Sequence, residues 1–189
     1  MGNYEYIIAS LPVIGADKPL SLETLEELQG FIYEQLEEDD RKKVDILTDS
    51  LDPNKLGEEF YTEALKDKNR FIREYFGFDL QVRNAKVLHL NRALGRAEKM
   101  DIFMETETEP ELSSTLEKIY SDPDILAKER AIDQLLWEKI DEITIFNYFD
   151  LDAVLGFVAK LHIVQRWSNL DEETGRQLFR EMIQRITKK

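Results

Sequence analysis

"DLDAVLGFVAKLHIVQRW", residues 150–167, is a proline-free run in which Val154, Val158, Leu161 and Val164 recur at spacings of three and four, the period of an α-helix. Asp150 supplies a capping oxygen ahead of it. Apolar residues cover so much of its circumference that a helix here must pack on more than one neighbour. Lys160, His162 and Arg166 interrupt that surface. They could mark a catalytic or metal site around His162, a polar seam where helices meet, or an ordinary solvated face. His162 and Arg166 stand one turn apart on a common face, and Asp152, Gly156 and Lys160 form the neighbouring row.

The same period continues upstream. In "ERAIDQLLWEKI", residues 129–140, and the residues after it, Ile132, Leu135, Leu136, Ile140 and Ile143 fall on one face. Asp122-Pro123 is read as the start of this helix and "IFNYFD", 145–150, as its end. Glu129 and Asp133 are one turn apart, and like charges at that spacing disfavour a helix by a few tenths of a kcal/mol, roughly. A cation should therefore face them, and Arg166 is expected to pair with one or the other. The alternative is that all these groups point to water.

Five prolines and eight glycines leave the rest of the 189 residues similarly unpunctuated. Ser21 caps a first long helix whose face carries Leu22, Leu25, Leu28, Ile32 and Leu36, with Glu23, Glu26 and Glu27 near its positive end. Asp52-Pro53 is read as opening the next element. From Lys55 to Gly95, Phe60, Ala64, Phe71, Tyr75, Leu80, Val87 and Leu94 supply buried faces, with Gly77 as a possible break. "METETEPE", 104–111, lacks periodicity and reads as a loop, the best candidate for a mobile stretch. A last helix beginning at "SNLDEET" carries Phe179, Met182, Ile183 and Ile186. "YEYIIAS", 4–10, fits strand or helix equally. The expected fold class is all-α: a multi-helix bundle of about six to eight helices forming one domain over 1–189, with sub-modules near 1–103 and 112–189 joined by the acidic loop.

Net charge is −14, which repels a phosphate backbone and argues against nucleic acid. Residues 21–40 hold eight acids and no Lys or Arg, and 101–112 hold five more. Solvated faces explain these; docking of a basic partner by a free-standing acidic helical adaptor is the alternative. There is no cysteine, and no stretch approaches the roughly 20 apolar residues of a membrane-spanning helix. The N-terminus lacks a basic region before its apolar stretch and does not read as a signal peptide, so a soluble protein is expected. His89 and His162, the only histidines, have no His-x-x-x-His spacing, and Gly-x-Gly, Gly-Lys-Ser/Thr and Gly-x-Ser-x-Gly are all missing. No catalytic residue, cofactor or metal is expected, and polar or interfacial roles are assigned to both histidines.

"ERAIDQLLWEKI" followed by "DLDAVLGFVAKLHIVQRWSNLD" resembles two successive helices of the V-type and A-type ATPase subunit called C in prokaryotes and d in eukaryotes. Phe157 and Arg166 occupy places similar to the family's. "DLQVRNAKVLHLNRALGRA", 79–97, is similar to its "Asp-x-x-Asn-x-x-x-x-x-Arg-x-x-x-Gly" helix, through Asn84, Arg92 and Gly95. "YEYIIASLP" and the layout of nearly the whole chain look closer still to a divergent bacterial family that accompanies V-type ATPase genes. The resemblance implies an all-helical, funnel-like, non-catalytic body that caps the membrane rotor ring and receives the central stalk. It would lie in the cytoplasm, peripheral to the membrane, and touch the bilayer only through the complex. Two departures accompany it. The chain is much shorter than the usual three-module subunit, and the family's paired glutamates are replaced around Leu161, His162 and Ile163. On this reading Asn84, Arg92, Glu129, Asp133, Lys160, His162 and Arg166 are structural or partner-contacting residues.

Overall fold

The computed structural model describes residues 3–168 apart from 17 and 19, and helical periodicity and local caps together divide these described residues into eight α-helices with no strand. They are α1 (Tyr4–Ser10), α2 (Leu22–Gln35), α3 (Glu38–Asp49), α4 (Glu58–Leu65), α5 (Arg70–Ala93), α6 (Pro110–Tyr120), α7 (Ile125–Thr144) and α8 (Leu151–Ser168). The all-α multi-helix bundle expected from the sequence is therefore present. "YEYIIAS" is the helix α1, and it buries Ile7 completely. The expected helix carrying Phe179, Met182, Ile183 and Ile186 lies outside the described residues.

Several boundaries differ from expectation, each for a local reason. The first long helix ends at Leu36, the last residue of its expected face, but a helix not expected there, α3, follows at once, its Arg41 donating to the carbonyls of Tyr33 (2.8 Å) and Glu34 (3.1 Å) at the end of α2. Those are the groups a helix C-terminus leaves without intrahelical donors. Glu38, Asp39 and Asp40 then fill the first turn of α3, where the helix dipole favours acids. Asp52-Pro53 opens no helix: Asp52 accepts from the Asn54 backbone at 2.9 Å in a turn, and α4 begins at Glu58. Gly77 breaks nothing, since one glycine costs only about 1 kcal/mol inside a well-packed helix. The break falls at 66–69, where Asn69 accepts from the Ile72 backbone and caps α5.

The expected loop ends two residues early, because Pro110 sits in the first turn of α6, a helix the sequence reading did not resolve, while the connection as a whole reaches back to Leu94. Asp124 rather than Asp122 caps α7, accepting from Leu126 and Ala127. Leu94, expected to be buried, is 61% exposed: α5 stops there, and Gly95 takes a positive φ of 63°. The amides of Gly95 and Arg96 turn back to the carbonyls of Arg92 and Asn91, the αL ending that glycine suits. Two buried asparagines then hold the connection to α6. Asn91 donates to the carbonyls of Glu98 and Met100, and Asn84 to that of Met104.

The core gathers all eight helices around Phe71, Phe76, Tyr61, Leu80, Leu116, Ile140 and Leu155, every one almost fully buried. α8 packs on α1, α2, α3, α5 and α7, so the segments on either side of the acidic loop interleave. That many neighbours account for its nearly all-round apolar surface. α8 lies tight against α7 at Gly156, where a Cβ would stand 2.8 Å from Thr144 Cγ2 and 3.3 Å from Ile140 Cγ2.

Candidate functional site: a charged seam between helices

Buried charge concentrates where α5, α7 and α8 meet. Asp133, on α7 between Ile132 and Leu136, is carried inward with that apolar face and is only 3% exposed. α8 brings it two donors. Arg166 Nη2 and Trp167 Nε1 both donate to Asp133 Oδ2, the latter at 2.6 Å. Arg166 also lies 3.6 Å from Glu129, which in turn meets Lys86 of α5 at 3.4 Å. The guanidinium of Arg130 stacks 3.6 Å from the ring of Trp167. Burial pushes the Asp133 carboxyl above its ordinary range, and the charge and hydrogen bonds of Arg166 and Trp167 pull it partly back.

A second buried acid stands on α5. Asp79 accepts from the Tyr61 hydroxyl at 2.5 Å and from Arg83 Nε at 2.7 Å. Burial first, and the Asp79 charge second, raise the Tyr61 hydroxyl well above its usual value, so it remains a donor. Tyr75, Asp79, Arg83, Asp133, His162 and Arg166 share a cleft of about 100 Å³. Ligand pockets usually run to several hundred.

His162 is the junction between this seam and a larger groove. Burial lowers it to about 4, so it is neutral at pH 7. On its other side lies a groove of about 630 Å³ between α2, α3 and α8, floored by Ile32, Val44 and Val158, with Glu26, Glu34 and Asp45 among its lining residues. Gln29 and Gln165 join its walls by a hydrogen bond at 3.2 Å.

Of the residues singled out from sequence, Glu129, Asp133 and Arg166 meet directly and His162 lines the same cleft. Lys160 is separate: it pairs with Asp141 at 2.5 Å and lies 4.8 Å from the centre of the Trp137 ring. Asn84 serves the loop after α5, as described, and Arg92 pairs with Glu98 and Glu117 on the surface there. His89 rests against the Tyr120 ring, centroids 6.0 Å apart. No group of three or more metal-ligating side chains occurs among the described residues.

Sequence reasoning missed Asp79, Arg83, Tyr61, Arg130 and Trp167. Asp79 and Arg83 carried a usable signal: an acid and a cation one turn apart, embedded among Phe76, Leu80 and Val82. Tyr61 and Trp167 carried none, since a lone aromatic at an apolar position reads as core. Every buried side-chain nitrogen and oxygen among the described residues has a hydrogen-bond partner. Chemically, the seam is a satisfied clamp joining three helices.

No curated protein and no solved structure matches the chain. A family model described as "Protein of unknown function (DUF2764)" matches residues 51–189, a span that includes α4 to α8 and both buried acids. The chain belongs to the DUF2764 family.

Proposed function

We propose that this protein is a non-catalytic subunit of a V-type (A/V-type) ATPase, capping the membrane rotor ring and coupling it to the central stalk during ion transport. The observation that carries the reading is the junction between the two helices whose sequences resemble that subunit family. Glu129 and Asp133 on the first meet Arg166 on the second. The stretches that bear the resemblance thus form one structural unit.

An all-helical body supports the reading, as does the net charge of −14, which suits basic stalk or ring-loop surfaces. No helix among the described residues is long and apolar enough to cross a membrane. Attachment would therefore run through the complex.

A second reading, a free-standing acidic adaptor, draws on the exposed Glu23, Glu26, Glu27, Glu34, Glu37, Glu38 and Asp39 along α2 and its junction with α3. One experiment separates the two: affinity purification of the tagged protein from gently solubilised membranes of its own source, with co-purifying chains identified by mass. ATPase stalk and ring subunits in steady proportion are expected. Recovery of unrelated soluble proteins alone would sink the rotor reading and favour the adaptor.

A further inference from the structure

The knuckle between α7 and α8 reverses the usual distribution of polar and apolar groups. Ile145, Phe146, Tyr148 and Phe149 are 60, 83, 68 and 59% exposed. Asn147, the polar residue among them, turns back to the body. Its Oδ1 accepts from Arg70 at 2.7 Å and its Nδ2 donates to Asp150 at 2.5 Å. Arg70 donates as well to the Ile143 carbonyl at 2.7 Å, and the Asn147 amide to that of Thr144 at 2.9 Å. Polar contacts hold the turn from within while its apolar side chains stand outside.

An aromatic side chain carries roughly 200 Å², so these exposures leave apolar surface on the order of 500 Å² within five consecutive residues. That is near the largest patch an ordinary monomer shows, and such patches commonly bind something. A pre-shaped turn also loses little freedom on docking.

Charge decides among the occupants. Glu138, Asp141 and Glu142 precede the knuckle, and Asp150 and Asp152 follow it. Three of these five acids are paired, Glu142 with Lys139 at 2.9 Å, Asp152 with Arg70 at 3.5 Å and Asp141 with Lys160, so the surround stays negative by the remaining two, Glu138 and Asp150. An anionic lipid surface would be repelled by this acidic surround. Two knuckles meeting face to face would oppose like charges, and each offers less than the roughly 800 Å² per partner of a stable dimer.

We infer that the knuckle is an anchor that seats in an apolar socket rimmed by Lys or Arg on another protein. Phe146, the most exposed, is the central plug. This inference is independent of the rotor reading and survives its failure.

The test places a photoreactive p-benzoylphenylalanine at position 146 of the full chain, expressed in its own source, and maps the peptide captured on irradiation. One dominant adduct is expected, with a different protein, on a peptide whose apolar residues are flanked by Lys or Arg. Its yield should fall about tenfold with Ile145→Ser and Phe149→Ser in the same chain, and also as salt is raised. An unchanged thermal transition would show that these variants still fold, and the same probe at the exposed Glu107 should not give that adduct. Capture of a second copy, of lipid, or of this chain's own residues 169–189 would overturn the inference. So would scattered adducts, no adduct, or a yield indifferent to the substitutions or to salt.

Discussion

The seam and the knuckle use the same two helices in opposite ways. At the seam α7 and α8 bury charge, with Asp133 clamped by Arg166 and Trp167. At the knuckle, where the helices join, they expose Phe146 and its apolar neighbours. Buried charge without partners is costly and exposed hydrocarbon gains nothing in folding, so the two regions answer different demands. The seam is matched inside the molecule. The knuckle is matched by nothing within the described residues.

The sharpest way to break this comparison is Asp133→Ala. It should remove about 3 kcal/mol of unfolding free energy, read as a lower urea midpoint, because it strands Arg166 and the Trp167 indole. Arg166 is 45% exposed and can regain water, which keeps the loss at the low end for a broken buried pair. A double-mutant cycle with Arg166→Met should give a coupling of about 1–2 kcal/mol. Zero coupling would leave Trp167 as the effective partner and remove the pairing as a source of stability.

Gly156→Ala should cost about 1–3 kcal/mol, since the new methyl meets Thr144 Cγ2. Thr144→Ser deletes that methyl and should restore much of the loss. Failure to restore it would place the strain against Ile140 instead.

His162 sharpens the comparison through pH. Its folded value is about 4 against an ordinary 6.5, so as pH falls the unfolded chain takes up the proton first. The stability it contributes is complete above about 6.5 and is lost between there and about 4. Asp133 has the opposite sign: its raised carboxyl contributes stability at low pH that disappears as pH rises through its folded value. The clean reading is the difference in urea midpoint between wild type and His162→Leu, which should shift against the wild type as pH falls from 6.5 to 4 while the contribution of Asp133 cancels. A difference that stays constant over that range would assign the pH dependence elsewhere.

The smallest effect is expected at the knuckle. Phe146→Ser should change unfolding free energy by less than about 0.5 kcal/mol, because the ring leaves water hardly at all on folding. A loss above 1 kcal/mol would mean that the ring is covered, and the contrast between the regions would collapse.

Much of the bundle was legible because helical period and core face coincide. Ile132, Leu136, Ile140 and Ile143 are buried as their spacing implies, and the Ser21 and Asp150 caps both form. The face of α2 was legible as far as Leu36, but the restart as α3 was not, because it is fastened by Arg41 reaching back to two carbonyls, which leaves no trace in periodicity. The Glu129–Asp133–Arg166 meeting could be anticipated from one unfavourable like-charge spacing seeking a cation. Asp79 could not be tied to Tyr61 in that way, since the pair joins different helices through a hydroxyl. The knuckle's exposure was equally hidden: "IFNYFD" reads as an apolar helix ending until the fold shows which side its rings take.

The paired asparagine staples beyond α5 have a mechanical consequence. A connection of this length would ordinarily act as a slack tether between α5 and α6. Here the carbonyls of Glu98, Met100 and Met104 are fastened to Asn91 and Asn84, so tension on the tether must strip hydrogen bonds before the tether lengthens. Tyr120 adds a further fastening from the far end of α6, its hydroxyl donating to the Val82 carbonyl at 2.9 Å. Under load, α5 and α6 would move together as one stiff strut about 36 Å long, set by the 24 residues of α5.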